Sequence, residues 1–242
     1  MDRTRGGDPA MENKEAAPMP VSSRMPGEPS AEREARGADG SALFAQAARE
    51  EADVQGVRFI GAEITLSALS PLDVKSCVFE NCQVTGGAQG KWYFRDCLFR
   101  GCDLAGADLT GAILRETAFW DCRATGLVLA RAQGVKVTAE RCVGRYLNLN
   151  AADWRQSSFR ECDFSGASMQ ECRFHAVRFC SCSLTGAEFF RTPLAGIDLT
   201  TDDIGGIAVA GPELRGAVVT AYQASELARL LGVVIRDRPA QP

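Results

Sequence analysis

The chain has 242 residues, room for one large or two small domains, and a net charge of −4. That mild acidity gives no phosphate-seeking surface, so direct nucleic-acid binding is not expected, and the longest apolar run is far short of a membrane span. Charges and prolines stand near the start where a secretion signal needs an apolar stretch, so a cytoplasmic protein without membrane contact is expected.

Residues 1–41 are rich in Pro, Gly, Ala, Glu and Arg and hold almost no large aliphatic or aromatic side chain. Such a segment cannot bury enough apolar area to offset chain entropy, so a disordered extension is predicted, either inert or a functional tail. Residues 42–54 read as a short helix. Leu43, Phe44, Ala47 and Ala48 share a face, with Arg49, Glu50 and Glu51 opposite or beside them. Its place, just ahead of a regularly patterned region, suggests a cap.

From Phe59 to Val219 almost every fifth residue is large and apolar. Strands repeat every two residues and helices every 3.6, so neither explains the pattern. A second column, two residues earlier, holds small side chains: mostly Cys, Ala, Thr and Val, including all the cysteines except Cys180. The positions between are polar, and glycine is frequent two places after the large residue, as at Gly106, Gly111 and Gly166. Each five-residue unit therefore presents one large and one small side chain inward and then turns a corner.

A longer period counts the corners. At twenty-residue spacing stand Phe59, Phe79, Phe99, Phe119, Ala139, Phe159 and Phe179, and likewise Cys82, Cys102, Cys122, Cys142, Cys162 and Cys182. Like residues every fourth unit predict a four-sided coil over residues 55–219, with the six phenylalanines stacked in the core. Backbone groups then pair between coils, giving an all-β parallel solenoid of about eight coils, about 40 Å long at the interstrand spacing. Two places are thin. Thr85–Lys91 holds Gly86, Gly87, Gln89 and Gly90; Arg131–Tyr146 has glycine or alanine at three successive large positions. Each is expected either to bulge outward as a loop or to remain in the coil with a thin core.

Residues 220–236 end the ordered chain, and 237–242 form a tail. Tyr222, Leu227, Leu230 and Leu231 lie on one side of a predicted helix that Gly232 can end. A solenoid needs a cap at its open end, so capping alone would already require this face.

The units Cys102-Asp103-Leu104-Ala105-Gly106, Ala107-Asp108-Leu109-Thr110-Gly111 and Cys162-Asp163-Phe164-Ser165-Gly166 resemble pentapeptide repeats. The resemblance implies a right-handed quadrilateral parallel β-helix with short N-terminal and C-terminal helical caps. Leu214–Val219, Tyr222–Ser225 and Leu230–Ile235 are similar to the C-terminal segment of the quinolone-resistance members. That similarity implies a helix and short strand that join two monomers, so Tyr222, Leu227, Leu230 and Leu231 become dimer candidates. It also implies a DNA mimic that binds DNA gyrase or topoisomerase IV and protects it against an antibiotic poison. The alternative is an interaction scaffold with another partner.

A DNA mimic needs ordered negative charge. Residues 55–219 hold 18 acidic and 17 basic side chains, so the whole rod barely qualifies. The cysteine-ladder side carries Glu63, Asp103, Asp163, Asp202 and Asp203 against Arg123 and Arg145, and Asp198 adds charge near the C-terminal end. These six acids are the partner-binding candidates; outward polar positions of any soluble repeat are the plainer explanation. No enzyme activity and no cofactor are expected. His175 is the only histidine and is predicted outward, and no CxxC pair of metal-site spacing occurs. Cys180 and Cys182 are the one close pair, with alternation predicting both thiols on one face.

Overall fold

The computed structural model describes residues 28–66, 72–87 and 91–236. The repeat closes into a quadrilateral parallel β-helix. One wall is a parallel sheet with register Val74–Phe94–Leu114–Gly134–Trp154–Phe174. The second runs Phe59–Phe79–Phe99–Phe119–Ala139–Phe159–Phe179. The third begins with Glu63–Leu66 on Gln83–Gly86 and continues by single bridges Gln83–Asp103–Arg123–Val143–Asp163–Ser183–Asp203. The fourth runs Gly87–Asp108–Val128–Asn148–Ser168–Glu188–Ala208. Apart from Gly87–Asp108, which is twenty-one, every step is twenty residues, so four five-residue units make each turn.

The corners arise from local chemistry. In Leu104–Ala107 the Ala107 N–H donates to the Leu104 carbonyl at 3.1 Å, and Gly106 has φ +68°, the third-residue conformation of a type II turn. Where an Asp or Asn stands before the large residue, its side chain steadies that turn. Asp103, Asp108, Asn148, Asp163, Asp198 and Asp203 each accept from the main-chain N–H two residues on, at 2.9–3.0 Å.

The axis is filled by the two inward columns. Successive phenylalanine rings of the second wall stack at 5.1, 4.6 and 4.9 Å from Phe59 to Phe119, and at 5.3 Å from Phe159 to Phe179. Cys82, Cys102, Cys122, Cys142 and Cys182 are buried beside them, each donating its S–H to the carbonyl of the second-wall residue in the coil before, at 3.3–3.5 Å. All ten cysteines are free thiols. Burial pushes Cys77 and Cys172 up to about 11, so both are protonated and inert at neutral pH.

Both ends are covered. Helix α1 spans Gly37–Glu50, preceded by a strand, Arg33–Arg36, that pairs with Val57–Ile60. Residues 28–41 are therefore structured, and the helix does not begin at residue 42. Composition points to disorder because these residues bury few side chains; the strand is held by the unpaired backbone edge of the first coil. Phe44 enters the axis against Phe59, Phe79 and Trp92. Ser41 Oγ accepts from the Glu63 N–H at 2.8 Å, an edge donor that has no earlier coil to bond. The predicted disorder of residues 1–27 lies outside the described residues.

Helix α2, Ala221–Leu230, closes the other end with a capping box. Thr220 Oγ1 accepts from the Gln223 N–H at 3.2 Å and Gln223 Oε1 accepts from the Thr220 N–H at 2.8 Å. The Gln223 amide then donates to the last-coil carbonyls of Leu199 and Asp202, at 2.7 and 2.9 Å. Residues 233–236 carry no strand, where the resemblance implied one.

Arg131–Tyr146 stays in the coil and does not bulge. Gly134 and Gly144 leave room for aromatic side chains of the next coil, as a Cβ on Gly144 would stand 2.9 Å from Phe164 Cδ1. In Thr85–Lys91, Thr85 and Gly86 are paired with Thr65 and Leu66, and Gly87 bridges to Asp108. Residues 88–90 lie outside the described residues.

Candidate functional site

The rod offers four outer walls and two capped ends, and the acids proposed from sequence do not share one environment. Asp103 and Asp163 lie on the third wall, both engaged. Arg123 forms an ion pair with Asp103 and Arg145 with Asp163. The Arg123 hydrogen bond holds the Asp103 carboxyl below its usual range. At Asp163 burial raises the pKa, yet hydrogen bonds from Ser165 and Arg145 outweigh it and lower the group. These carboxylates cap turns and neutralise arginines one coil away, so the third wall has no continuous negative stripe. Exposed pairs of this kind add little stability.

Glu63 is exposed beside α1 at the opposite end. Asp202 is a correction. It occupies the inward cysteine column, one coil beyond Cys182, and only 6 % of it is exposed. Its Oδ1 accepts from the Cys182 N–H at 2.7 Å, while Oδ2 is buried without a hydrogen-bond partner. Burial, assisted by the charge of Asp198 and opposed by the Cys182 N–H, pushes its pKa up. The register explains this: position 202 is 182 plus one turn. Asp198 and Asp203 are exposed and, among the described residues, have no ion-pair partner.

The C-terminal candidates divide in the same way. Leu227 is buried against the core, so it belongs to the cap and is unavailable to a second chain. Tyr222 is 73 % exposed at the start of α2, and Leu230, Leu231, Val233, Val234 and Ile235 form an exposed apolar run at its end. Such a run is large for a surface meeting only water. Sequence reasoning overlooked Gln223, whose role was signalled by the Thr-x-x-Gln spacing of a capping box.

The other walls differ in charge. On the first, Lys75, Arg95, Arg115, Arg155 and His175 occupy one outward column, with Asp73 pairing Arg95 and Asp153 pairing Arg155. On the second, Glu80 bridges Arg58 and Arg100 at 2.7 and 2.9 Å. Cys180 and Cys182 do not share a face. Ser181 between them has φ +55°, so the chain turns, leaving Cys180 on the outer side and Cys182 buried. Among the described residues no group of three or more His, Cys, Asp or Glu is placed to hold a metal ion, and no helix is long and apolar enough to cross a membrane.

Residues 92–162 match the family model for a pentapeptide repeat region. No curated protein matches the chain. Solved structures similar to it include full-length QnrB1, a plasmid-mediated fluoroquinolone resistance protein, at 16% identity over 75% of this chain and 100% of that one, with a TM-score of 0.34. HetL, a pentapeptide repeat protein involved in heterocyst differentiation regulation in Nostoc sp. strain PCC 7120, matches at 15% identity over 68% and 90%, TM-score 0.29. Rfr23, a pentapeptide repeat protein of Cyanothece 51142, matches at 12% over 74% and 99%, TM-score 0.23. Residues 92–162 are therefore a pentapeptide repeat region, and the same five-residue unit continues on both sides of it in the same register and the same four-walled coil.

Proposed function

We propose that this chain is a non-enzymatic, DNA-mimicking rod that binds a type II topoisomerase, DNA gyrase or topoisomerase IV, and protects it from a poison antibiotic as a resistance or self-resistance determinant. It acts as a homodimer joined through the C-terminal segment. The observation that carries this reading is the coincidence of two features at one end: the exposed run Tyr222, Leu230, Leu231 and Val233–Ile235, and the unpaired carboxylates of Asp198 and Asp203. Joining two copies through the apolar run doubles the rod and brings four free carboxylates near its centre. A DNA-binding groove is basic, and carboxylates without an internal cation beside them are the ones whose charge is free to meet it. The likeness of Leu214–Ile235 to the quinolone-resistance members supports that enzyme class.

The test is supercoiling and drug-stabilised cleavage by purified gyrase and topoisomerase IV, titrated with this protein at low and high salt. The reading expects a change in either activity that fades as salt rises. No effect at low salt on either enzyme overturns it. A second reading, a scaffold for another protein, is favoured by the pairing of Asp103 with Arg123 and Asp163 with Arg145, which removes the third wall's net negative charge. Protection that survives reversal of Asp198 and Asp203 to Lys would move the contact with the enzyme to another part of the rod.

A further inference from the structure

Most hydroxyls and thiols of the small inward column donate to the carbonyl twenty-three residues earlier, in the coil before. Thr117 reaches Phe94 at 3.3 Å, Cys172 reaches Leu149 at 3.0 Å, Cys182 reaches Phe159 at 3.4 Å and Thr192 reaches Met169 at 2.6 Å. Thr192 Oγ1 also accepts, from the Cys172 N–H twenty residues earlier, at 2.8 Å. Asp202 stands in the same column and makes the accepting half of that pair, with Oδ1 taking the Cys182 N–H at 2.7 Å. By the same count, the carbonyl twenty-three residues before it belongs to Phe179. A carboxylate has no proton to give there, and Oδ2 is buried with no hydrogen-bond partner. A protonated Asp202 has what the place takes: one oxygen that accepts and one O–H that donates.

Asp202 is covered by α2 rather than by another coil. One turn beyond it is position 222, inside the helix, and the buried Gln223 amide donates to the Asp202 carbonyl at 2.9 Å. Among the described residues no cation pairs with the Asp202 carboxyl. In the coil before, the Cys182 thiol is engaged with Phe159. In its own coil Asp198 adds a like charge, and Asp203 points outward and caps its turn at Gly205. Helix α2 turns Gln223 and Leu227 inward; Tyr222 and Arg229 are exposed, and Glu226 pairs with Arg229 at 3.8 Å. An ionised Oδ2 therefore gains solvation only if water enters, and water enters where α2 lifts.

We propose that Asp202 is a proton-operated latch on α2: as a neutral acid it donates to the Phe179 carbonyl and seats the helix on the rod, and passing that proton to water frees the helix to lift. The exposed run Leu230–Ile235 is then held fixed on the rod end only while the latch is closed. The test follows hydrogen exchange of the α2 amides in the full chain from pH 4 to pH 8, corrected for intrinsic rates, beside the carbon-13 titration of the Asp202 carboxyl. Protection of α2 falls about tenfold for each pH unit between about 3.9 and the midpoint of the carboxyl, and is level above that midpoint. Asp202→Asn and Asp202→Thr each carry a donor and an acceptor that do not titrate, so α2 protection in both stays the same across the range. A carboxyl midpoint at or below about 3.9 overturns the proposal. So does α2 protection in the unmodified chain that stays flat up to the midpoint, a result that needs no variant to fold. A fall just as steep in the two variants overturns it as well.

Discussion

The Trp154 ring occupies the space that any side chain at Gly134 would need. A Cβ built on Gly134 stands 2.1 Å from Trp154 Cε3 and 2.3 Å from Cζ3. The two residues are neighbours in register on the first wall, one coil apart. The missing side chain of one coil is therefore the volume of the next, which is why a glycine at a large position does not break the rod. Gly134→Ala is expected to destabilise by about 2 kcal/mol through overpacking. Trp154→Leu in the same chain should recover part of that loss, and urea unfolding of the single and double variants reads both. Additive losses would show that the two positions do not share space.

Ala139 interrupts the phenylalanine stack and leaves an apolar cavity of about 50 Å³, bordered by Phe119, Trp154, Phe159 and Phe179 among others. With no polar group lining it, the cavity has nothing to hold a water. Ala139→Val should fill most of it and raise stability by about 1 kcal/mol, from roughly 24 cal/mol per Å³. Ala139→Phe should not, because the Trp154 ring already leans into the neighbouring space. Thermal unfolding separates the two; a lower Tm for the valine variant would mean the surrounding walls cannot accept it.

Asp202 makes stability depend on pH in an unusual direction. Burial raises its folded-state pKa above the ordinary carboxyl value. A raised group contributes stability that is fully present below the unfolded pKa, about 3.9, and is lost as pH rises through the folded value. Asp202→Asn keeps the acceptor for the Cys182 N–H and removes the charge. It is expected to stabilise at neutral pH, by on the order of 1 kcal/mol, with the gain shrinking to nothing near pH 4. Unfolding free energies at pH 7 and pH 4 test the sign, and an equal effect at both would remove ionisation as the cause.

Leu227 and Leu231 should separate capping from association. Leu227 is buried on the core, so Leu227→Asp should loosen α2 and the last coil, with a lowered Tm. Leu231 is 50 % exposed, so Leu231→Asp should leave Tm of the isolated coil unchanged and shift sedimentation from dimer to monomer. A monomeric unmodified chain at high concentration would remove the seam altogether.

The coil itself was legible in the chain because its geometry is local and repeated: one corner every five residues, one turn every twenty, so contacts between coils appear as a simple period. The phenylalanine stack, the thiol column and the four walls come from that count alone. Asp202 could have been placed by the same arithmetic, since its number falls in the cysteine column, but its charge suggested a surface. Other features had no period to show them. The sharing of space between Gly134 and Trp154 depends on how a large ring leans, which the identities of the two residues do not state. Arg123 and Arg145 neutralise Asp103 and Asp163 because long side chains cross from coil to coil, so a tally of charges overstated the acid side. The strand Arg33–Arg36 arises where chain of poor composition meets the backbone edge left open by the first coil. The sequence by itself determined the repeat and its inward columns; tertiary structure decided what closes the ends and which carboxylates lack an ion-pair partner, because those contacts occur once and join segments that no periodicity relates.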